Sequence, residues 1–555
     1  MKISRILLFI LGVLLGLTAI CCLMPEGGLA LGGVKLEFPS LLQVFDAGDD
    51  EEVRDSVEML SPEELLEQRM ASLQTQKADE FHQFASTSPQ RIYLPGDDET
   101  YLDPFFEALE AADSQHVRIL HLGDSQLECD RISSSLRQHY QETFGGHGVG
   151  LVPALQTVPT YTLSQTISPS ESIGHHLVYG PAEARASHRR YGVMGQVNHV
   201  HAGTTMRFTA RDLEKYPCTG GVRRLTVMAG GSGGMTLNAN GQSISLNAVG
   251  GNESCSILRA DIPQGTNTLT LTSHGEYDVY GIMLDGVKGV SLDNVPMRGC
   301  SGTIFTQIDE QTLQPYFQTD DVRLLILQYG GNSVPSVSGA KGISSYMKTL
   351  RRQIALFRRL APKASILFIG PADMATRIGG EMKTYPVLPE VVDSLREMSL
   401  QEGIAFWDMY AAMGGRGSIV KWYRAKPQLA GADFVHFTPK GAQKMADMLY
   451  GTIQLYYRYY RLRMGKESES DMKDMEFKDA VAPVEGSGTI SVSELPPRPA
   501  PGEDGVEDGL DYEDGLPTDE HPLEGESPAE GKHEEMSHPA EVQEANVQVV
   551  EESAP

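Results

Sequence analysis

Strands that alternate with helices are the feature that most constrains the fold of this chain. The apolar run Val117–Leu122 ends in Gly123-Asp124-Ser125, and the run Asp321–Tyr329 ends in Gly330-Gly331-Asn332. A helical pattern follows each of these turns, and further strand patterns come at Ala364–Ile369 and Ile404–Met409. Such alternation predicts an α/β fold, a doubly wound parallel sheet with helices on both faces. Functional sites of these sheets lie beyond the carboxyl ends of the strands.

A segment of different texture interrupts this pattern. No charged residue occurs from Leu225 to Asn252, and Met235–Leu246 alternates around Asn240-Gly241, a strong signal for a type I′ hairpin. We therefore predict a β-sandwich over residues 151–290, inserted into an α/β domain that comprises 98–150 and 291–465.

The N-terminal segment predicts attachment to a membrane. Lys2 and Arg5 precede Ile6–Met24, 19 uncharged and mostly apolar residues, which is about the length that spans a bilayer core. The basic flank favours a single-pass signal anchor at 1–24 in the inner (cytoplasmic) membrane, with the rest of the chain in the periplasm. The alternative is a cleaved signal peptide and a secreted protein. Residues 25–97 are predicted to form a stalk, with a short helix capped by Ser61 that ends near Leu73.

Charge is concentrated at the other end of the chain. Residues 466–555 carry 26 acidic and 5 basic side chains, a net charge of −21. The whole chain of 555 residues has a formal net charge of −28, so most of the negative charge lies in this segment. This tail is rich in Glu, Asp, Pro, Gly and Ser and is predicted to be disordered. Because the body is also mildly acidic, no nucleic-acid partner is expected.

Three short blocks carry residues that are suited to acyl-transfer chemistry. Ser125 lies in the turn after a buried strand, where backbone N–H groups at a helix N-terminus stabilise developing negative charge. Asn332 occupies the equivalent position after the second strand. Asp433 and His436 stand three residues apart before the last helix, so the carboxylate can fix the tautomer of the imidazole. Each block alone is an ordinary turn sequence, but the three together indicate a catalytic site.

The order Ser, Asn, Asp/His resembles the SGNH (GDSL-type) hydrolase family over about residues 98–465. The resemblance implies that Ser125 is the nucleophile, His436 the general base and then acid, and Asp433 the residue that orients it. The N–H of Ser125 and the side chain of Asn332 would belong to the oxyanion hole. The family's second block fits Gly299-Cys300-Ser301-Gly302 and implies Gly302 as a further donor. Gln126 departs from many relatives, a difference we expect to matter little.

An SGNH domain that is split by a sandwich resembles the peptidoglycan O-acetylesterases, whose inserted module is similar to carbohydrate-binding sandwiches. The implied activity is removal of O-acetyl groups from peptidoglycan or another envelope polysaccharide. One alternative keeps the site but makes the protein a periplasmic O-acetyltransferase, with a membrane-bound O-acyltransferase as partner. Another is a non-catalytic protein that binds cell-wall glycan.

No cofactor or metal is expected from the sequence. Motifs for nucleotide binding and for zinc are absent from it. His175-His176 and the pair His199 and His201 have no third ligand at a recognisable spacing, which favours solvated side chains. Cys218 and Cys255 are predicted either to form a disulfide in an oxidising compartment or to remain free thiols.

Overall fold

The computed structural model describes residues 3–23, 29–31, 34–36, 61–319, 322–337 and 339–495. Most of the predicted acidic tail, residues 496–555, lies outside the described residues, as do residues 37–60 of the predicted stalk. The helices are α1 (Ile3–Leu23), α2 (Pro62–Thr87), α3 (Asp103–Glu110), α4 (Ser133–Phe144), α5 (Glu310–Thr319), α6 (Gly339–Leu360), α7 (Leu388–Gln401), α8 (Met409–Met413), α9 (Ser418–Arg424), α10 (Pro439–Arg463) and α11 (Glu469–Asp474).

The strands fall into one parallel sheet, two antiparallel sheets and smaller ribbons. They are β1 (Leu29–Leu31), β2 (Val34–Leu36), β3 (Ile92–Tyr93), β4 (His116–Gly123), β5 (Gly150–Val152), β6 (Leu163–Ser168), β7 (His176–Leu177), β8 (Gln196–Val200), β9 (Thr205–Ala210), β10 (Arg224–Gly231), β11 (Met235–Ala239), β12 (Gln242–Ser245), β13 (Asn247–Gly251), β14 (Ser256–Asp261), β15 (Thr268–Ser273), β16 (Tyr277–Asp285), β17 (Gly289–Pro296), β18 (Val322–Gln328), β19 (Ser365–Ile369), β20 (Ala375–Ile378), β21 (Glu381–Thr384), β22 (Ala405–Trp407) and β23 (Ile490–Ser491).

The central sheet has the order β17-β4-β18-β19-β22-β3. All neighbouring strands are parallel except β3, which pairs antiparallel with β22 at the edge. Alternate residues of β4 point into different cores. Val117 and Ile119 pack on one face with α2, α3, α4 and α10, and Leu120 and Leu122 pack on the other with α5, α6 and α7. The predicted α/β fold with helices on both faces is confirmed.

The inserted segment forms a sandwich of two antiparallel sheets. One has the order β13-β14-β10-β16-β8-β7, with β5 also paired to β16, and the other has the order β12-β11-β15-β9-β6. Alternate apolar side chains of both sheets, such as Val227 and Leu271, make up its own core. The predicted hairpin is confirmed, because β11 pairs with β12 and Asn240 and Gly241 both have positive φ.

The sandwich packs directly against the α/β domain. Tyr191, Val193 and Met194, which lie in the loop before β8, share a hydrophobic core with Met297 and Cys300 beyond β17. Cys218 and Cys255, for which a disulfide was one alternative, are free thiols in the structure.

The stalk prediction is wrong for residues 62–93. The Ser61 capping box is present as predicted, but the helix that it begins, α2, continues to Thr87. Phe81 and Phe84 are buried against α10, where the ring of Phe81 stacks on Tyr459 at 3.8 Å. Together with β3 at the sheet edge, α2 therefore belongs to the folded domain.

The predicted tail also begins too early. Residues 466–495 are ordered against the domain, because Phe477 packs edge-on against Phe81 and β23 extends the small sheet of β20 and β21. Lys77 of α2 donates a hydrogen bond to the carbonyl oxygen of Met475 at 2.7 Å. Apolar residues such as Met472 and Ile490, sparse in an acidic stretch, supply the buried contacts.

Among the residues whose side chains the structure describes, we find no helix with the length and apolar character needed to cross a membrane. The signal anchor at 1–24 therefore remains a prediction.

The packing of α2 predicts a clear difference between two positions on that helix. Phe81→Ala removes a side chain that is 1 % exposed and should lower the free energy of unfolding by about 3–5 kcal/mol. Leu65→Ala, at a position that is 54 % exposed, should change it by less than about 0.5 kcal/mol. Chemical denaturation of both variants measures this, and equal stabilities would show that α2 does not pack on the domain.

Candidate active site

The strand order brings the predicted site residues to one edge of the sheet. In chain order the parallel strands β4, β17, β18, β19 and β22 lie in the spatial order 2-1-3-4-5, so the connections diverge between β4 and β18. Ser125 follows β4 and Asn332 follows β18, which places both at the crevice where ligands of doubly wound sheets bind.

Ser125, His436 and Asp433 form a continuous hydrogen-bonded chain. The Oγ atom of Ser125 lies 2.8 Å from Nε2 of His436, and Nδ1 of His436 lies 2.6 Å from Oδ2 of Asp433. An ionised carboxylate only accepts hydrogen bonds, so Nδ1 carries the hydrogen and Nε2 accepts from the hydroxyl. This is the arrangement in which an imidazole can remove the proton of a serine nucleophile.

The loop before α10 fixes the carboxylate of this chain. Oδ1 of Asp433 accepts the backbone N–H groups of Val435 and His436, both at 3.0 Å. Burial raises the pKa of Asp433, but the hydrogen bond and charge of His436, with these two N–H groups, outweigh it and leave the pKa below its ordinary value. Phe434 between them has a positive φ of 56°, which turns the loop so tightly that Asp433 and His436 meet.

Asn332 lies beside the serine turn, and its amide is engaged by neighbouring groups. Nδ2 donates to Oδ2 of Asp124 at 3.1 Å and to the carbonyl oxygen of Cys300 at 3.2 Å. Burial raises the pKa of Asp124 to about 6, partly offset by the N–H of Gln126 and the charge of His436. Donation to an oxyanion by Asn332 therefore requires that one of these two hydrogen bonds be exchanged.

Gly302 reaches the same region, but its N–H has a partner. It donates to Sγ of Cys300 at 3.3 Å, and sulfur is a weak acceptor. The position requires glycine, since φ is +75° and a Cβ atom would lie 2.6 Å from the ring of Tyr329. The oxyanion-hole role of Gly302 remains a prediction, as does that of the Ser125 N–H, which stands first in its short helix and has no intrahelical partner.

Gln126 makes contacts beside the site that the sequence did not suggest. Its buried side chain spans the gap between the serine turn and the histidine loop, where Nε2 donates to the carbonyl oxygen of Val435 at 2.6 Å and Oε1 accepts the N–H of Phe437 at 3.4 Å. Both contacts flank His436. Gln126 therefore sets the distance between the two loops that hold Ser125 and His436.

The inserted sandwich contributes to the surroundings of the site. Tyr179, in the loop between β7 and β8, has its pKa raised by burial and further by its neighbours Cys300 and Glu128. Cys300 contacts Asn332, and Glu128 lies three residues after Ser125, where it forms an ion pair with Arg298 at 2.7 Å.

The hydrogen-bonded triad of Ser125, His436 and Asp433 is open to solvent at the surface, since the side chain of His436 is 28 % exposed.

The fold defines the class of protein that this chain resembles: an α/β fold of the SGNH type. A solved structure described as a peptidoglycan O-acetylesterase in action aligns with 66 % of this chain and 99 % of its own, at 23 % identity and a TM-score of 0.54. A family two carbohydrate esterase from Cellvibrio japonicus aligns with 54 % of this chain and 99 % of its own, at 11 % identity and a TM-score of 0.23. No protein-family model matches the sequence, and no curated protein matches it.

The bridging role of Gln126 predicts a specific defect in the reactivity of Ser125. Gln126→Leu leaves the Val435 carbonyl and the Phe437 N–H without this partner, so the two loops should separate and phosphonylation of Ser125 by a fluorophosphonate should slow about 10- to 100-fold. Labelling rates followed by mass spectrometry measure this.

A matched control uses a half-buried glutamine of α4, outside the site. Gln138→Leu should react at the rate of the unmodified protein, since the side-chain hydrogen bond that Gln138 makes among the described residues is to Glu142, in the same helix. Thermal melts separate a change in reactivity from a loss of folding. Equal labelling rates for both variants at equal folded fractions would show that Gln126 does not position the pair.

Proposed function

We propose that the protein is a serine esterase that removes O-acetyl groups from peptidoglycan or another envelope polysaccharide through an acyl-enzyme. The observation that carries the proposal is the hydrogen-bonded chain Ser125–His436–Asp433 at the crevice of an SGNH-type fold. The solved structure at a TM-score of 0.54, a peptidoglycan O-acetylesterase, supports the choice of substrate class.

The first half of the reaction forms an acetyl-serine. Oγ of Ser125 attacks the acetyl carbonyl while Nε2 of His436 takes the hydroxyl proton. Asp433 keeps the imidazole in the required tautomer and stabilises the imidazolium that forms. The N–H of Ser125, together with Asn332 and Gly302 once their present hydrogen bonds are exchanged, donates to the oxyanion. The imidazolium then protonates the sugar oxygen, which leaves as an alcohol.

The second half returns the free enzyme. His436 removes a proton from water, and the resulting hydroxide adds to the acetyl-serine. The tetrahedral intermediate then expels Oγ of Ser125, which takes the proton back from His436, and releases acetic acid, which ionises to acetate. His436 thus serves as the general base in both halves of the reaction.

Ser125→Ala should lower kcat for acetate release from O-acetylated peptidoglycan by at least about 1,000-fold, because the nucleophile is lost. Ser114→Ala, at an exposed serine outside the site, should retain the full rate. Acetate released by purified protein of matched thermal stability measures this. Undiminished activity in Ser125→Ala would contradict the mechanism. Parallel assays on acetylated xylan separate peptidoglycan from other polysaccharides.

The same assay separates hydrolysis from the alternative, acetyl transfer to glycan. Because both share the acetyl-serine, they differ only in whether water or a sugar hydroxyl attacks it. A sugar acceptor should leave the yield of free acetate unchanged if the protein is an esterase. Acetyl groups that appear on the sugar acceptor in place of free acetate would favour an O-acetyltransferase with a membrane-bound acyl donor.

We also propose that residues 1–24 anchor the protein in the inner membrane and place the site in the periplasm, on the strength of Lys2, Arg5 and the apolar residues that follow. Retention of the full chain in membranes washed with alkaline carbonate is the expected result. Release into the wash, or a mature N-terminus beyond Met24, would favour a cleaved signal peptide.

A further inference from the structure

Four side chains that can take part in metal binding lie on one face of the sandwich, separate from the triad. Strands β8 and β16 are antiparallel, with His199 directly opposite Asp278 and Val200 opposite Tyr277. The next step of this register sets His201 beside Glu276. Since side chains two apart on a strand share a face, the two histidines and the two carboxylates project to the same side.

We propose that His199, His201 and Glu276 bind a divalent cation of the zinc class. One ligand atom from each of the three residues lies within 4.8 Å of the other two. Nε2 of His199 and Nδ1 of His201 approach the same carboxylate oxygen of Glu276, at 3.3 Å and 2.8 Å. Ligands of a tetrahedral zinc ion, bound at about 2.0–2.1 Å, stand roughly 3.3 Å from one another, so small side-chain adjustments would complete the site.

The neighbouring groups orient these ligands. Nδ1 of His199 lies 3.0 Å from Oδ1 of Asp278, which fixes the tautomer that leaves Nε2 with its lone pair facing Glu276. A histidine held by a carboxylate through its other nitrogen is the usual outer shell of a zinc site. The carboxylate of Glu276 is held in turn by the backbone N–H of Ala202 at 3.2 Å, and this N–H and His201 lower its pKa.

The donor set determines which cation is expected. Two imidazoles and one carboxylate suit Zn²⁺ and related transition metals, whereas Ca²⁺ requires six to eight oxygen ligands. Three protein ligands leave a tetrahedral ion one open position. The side chains of His199, His201 and Glu276 are 43 %, 52 % and 57 % exposed, so a cation can reach them without any rearrangement of the fold.

Metal titration of the full chain tests the proposal. Isothermal titration with ZnCl₂ should show a site that saturates at one ion per chain, and CoCl₂ should give the visible absorption bands of a four-coordinate cobalt ion. CaCl₂ in the same buffer should give neither signal.

Variants connect the signal to these residues. His199→Ala combined with His201→Ala should abolish the zinc isotherm and the cobalt bands, and Asp278→Asn should weaken zinc binding about 10- to 100-fold. His274→Ala is the matched control, because His274 is exposed on the same sandwich and, among the described residues, its side chain is hydrogen-bonded to Thr236 and not to the proposed ligands. Circular dichroism verifies that each variant is folded.

Zinc binding that is equal in the double variant and in His274→Ala would overturn the proposal, as would an unmodified chain that binds no zinc. Ser125→Ala should bind zinc as the unmodified chain does. The outcome is therefore independent of the esterase activity.

Discussion

A buried ion cluster fixes the point where the sandwich joins the parallel sheet. One nitrogen of Arg118 on β4 contacts both carboxylate oxygens of Asp293 on β17, at 2.7 Å and 2.9 Å, and another contacts Asp285 at 2.6 Å. Asp285 ends the last strand of the sandwich. Leu151, where the chain enters the sandwich, donates its N–H to the same Asp293 at 2.8 Å. Removal of one partner of such a buried pair costs about 3–5 kcal/mol. The point where the chain enters the sandwich and the point where it leaves are thus both held by the same ion cluster.

This junction allows a long insertion without disturbing the site. Because β17 returns beside β4 in register, with Pro296 opposite Gly123, the turn of Ser125 and the segment of Cys300 and Gly302 remain neighbours. The loop that carries Tyr179 is thereby held close to Cys300. The proposed active site lies at the surface and is bordered by the inserted sandwich, an arrangement that suits the polymeric substrate we propose, since a long chain has no access to a closed cavity. Under the proposed function, the sandwich can affect substrate choice by shape alone, whether or not it binds sugar.

Signals that are local in sequence were sufficient for the fold and for part of the site. The apolar strands and their turns predict the parallel sheet, because residues of a buried strand and its turn are consecutive. The Asn240-Gly241 hairpin and the Ser61 cap were predicted for the same reason, since their geometry depends on three or four adjacent residues. The sequence analysis grouped Ser125, Asp433 and His436 because their order matches that of the conserved blocks of the SGNH family. The contact between Asp433 and His436 depends on the tight loop at Phe434, which the residue pattern did not predict.

Features that depend on a distant partner could not be predicted in this way. Glu276 stands 75 residues beyond His201, and only the pairing of β8 with β16 makes it a third ligand beside the two histidines. Gln126 is 309 residues from Val435 in the sequence, so the hydrogen bond between them could not be predicted without the positions of the two loops. The stalk and tail predictions failed because their few apolar residues have distant partners: Phe81 packs against α10 and Phe477, and β3 and β23 pair with β22 and β21. In each case the sequence contains the required side chain, and the register or the packing gives it a partner.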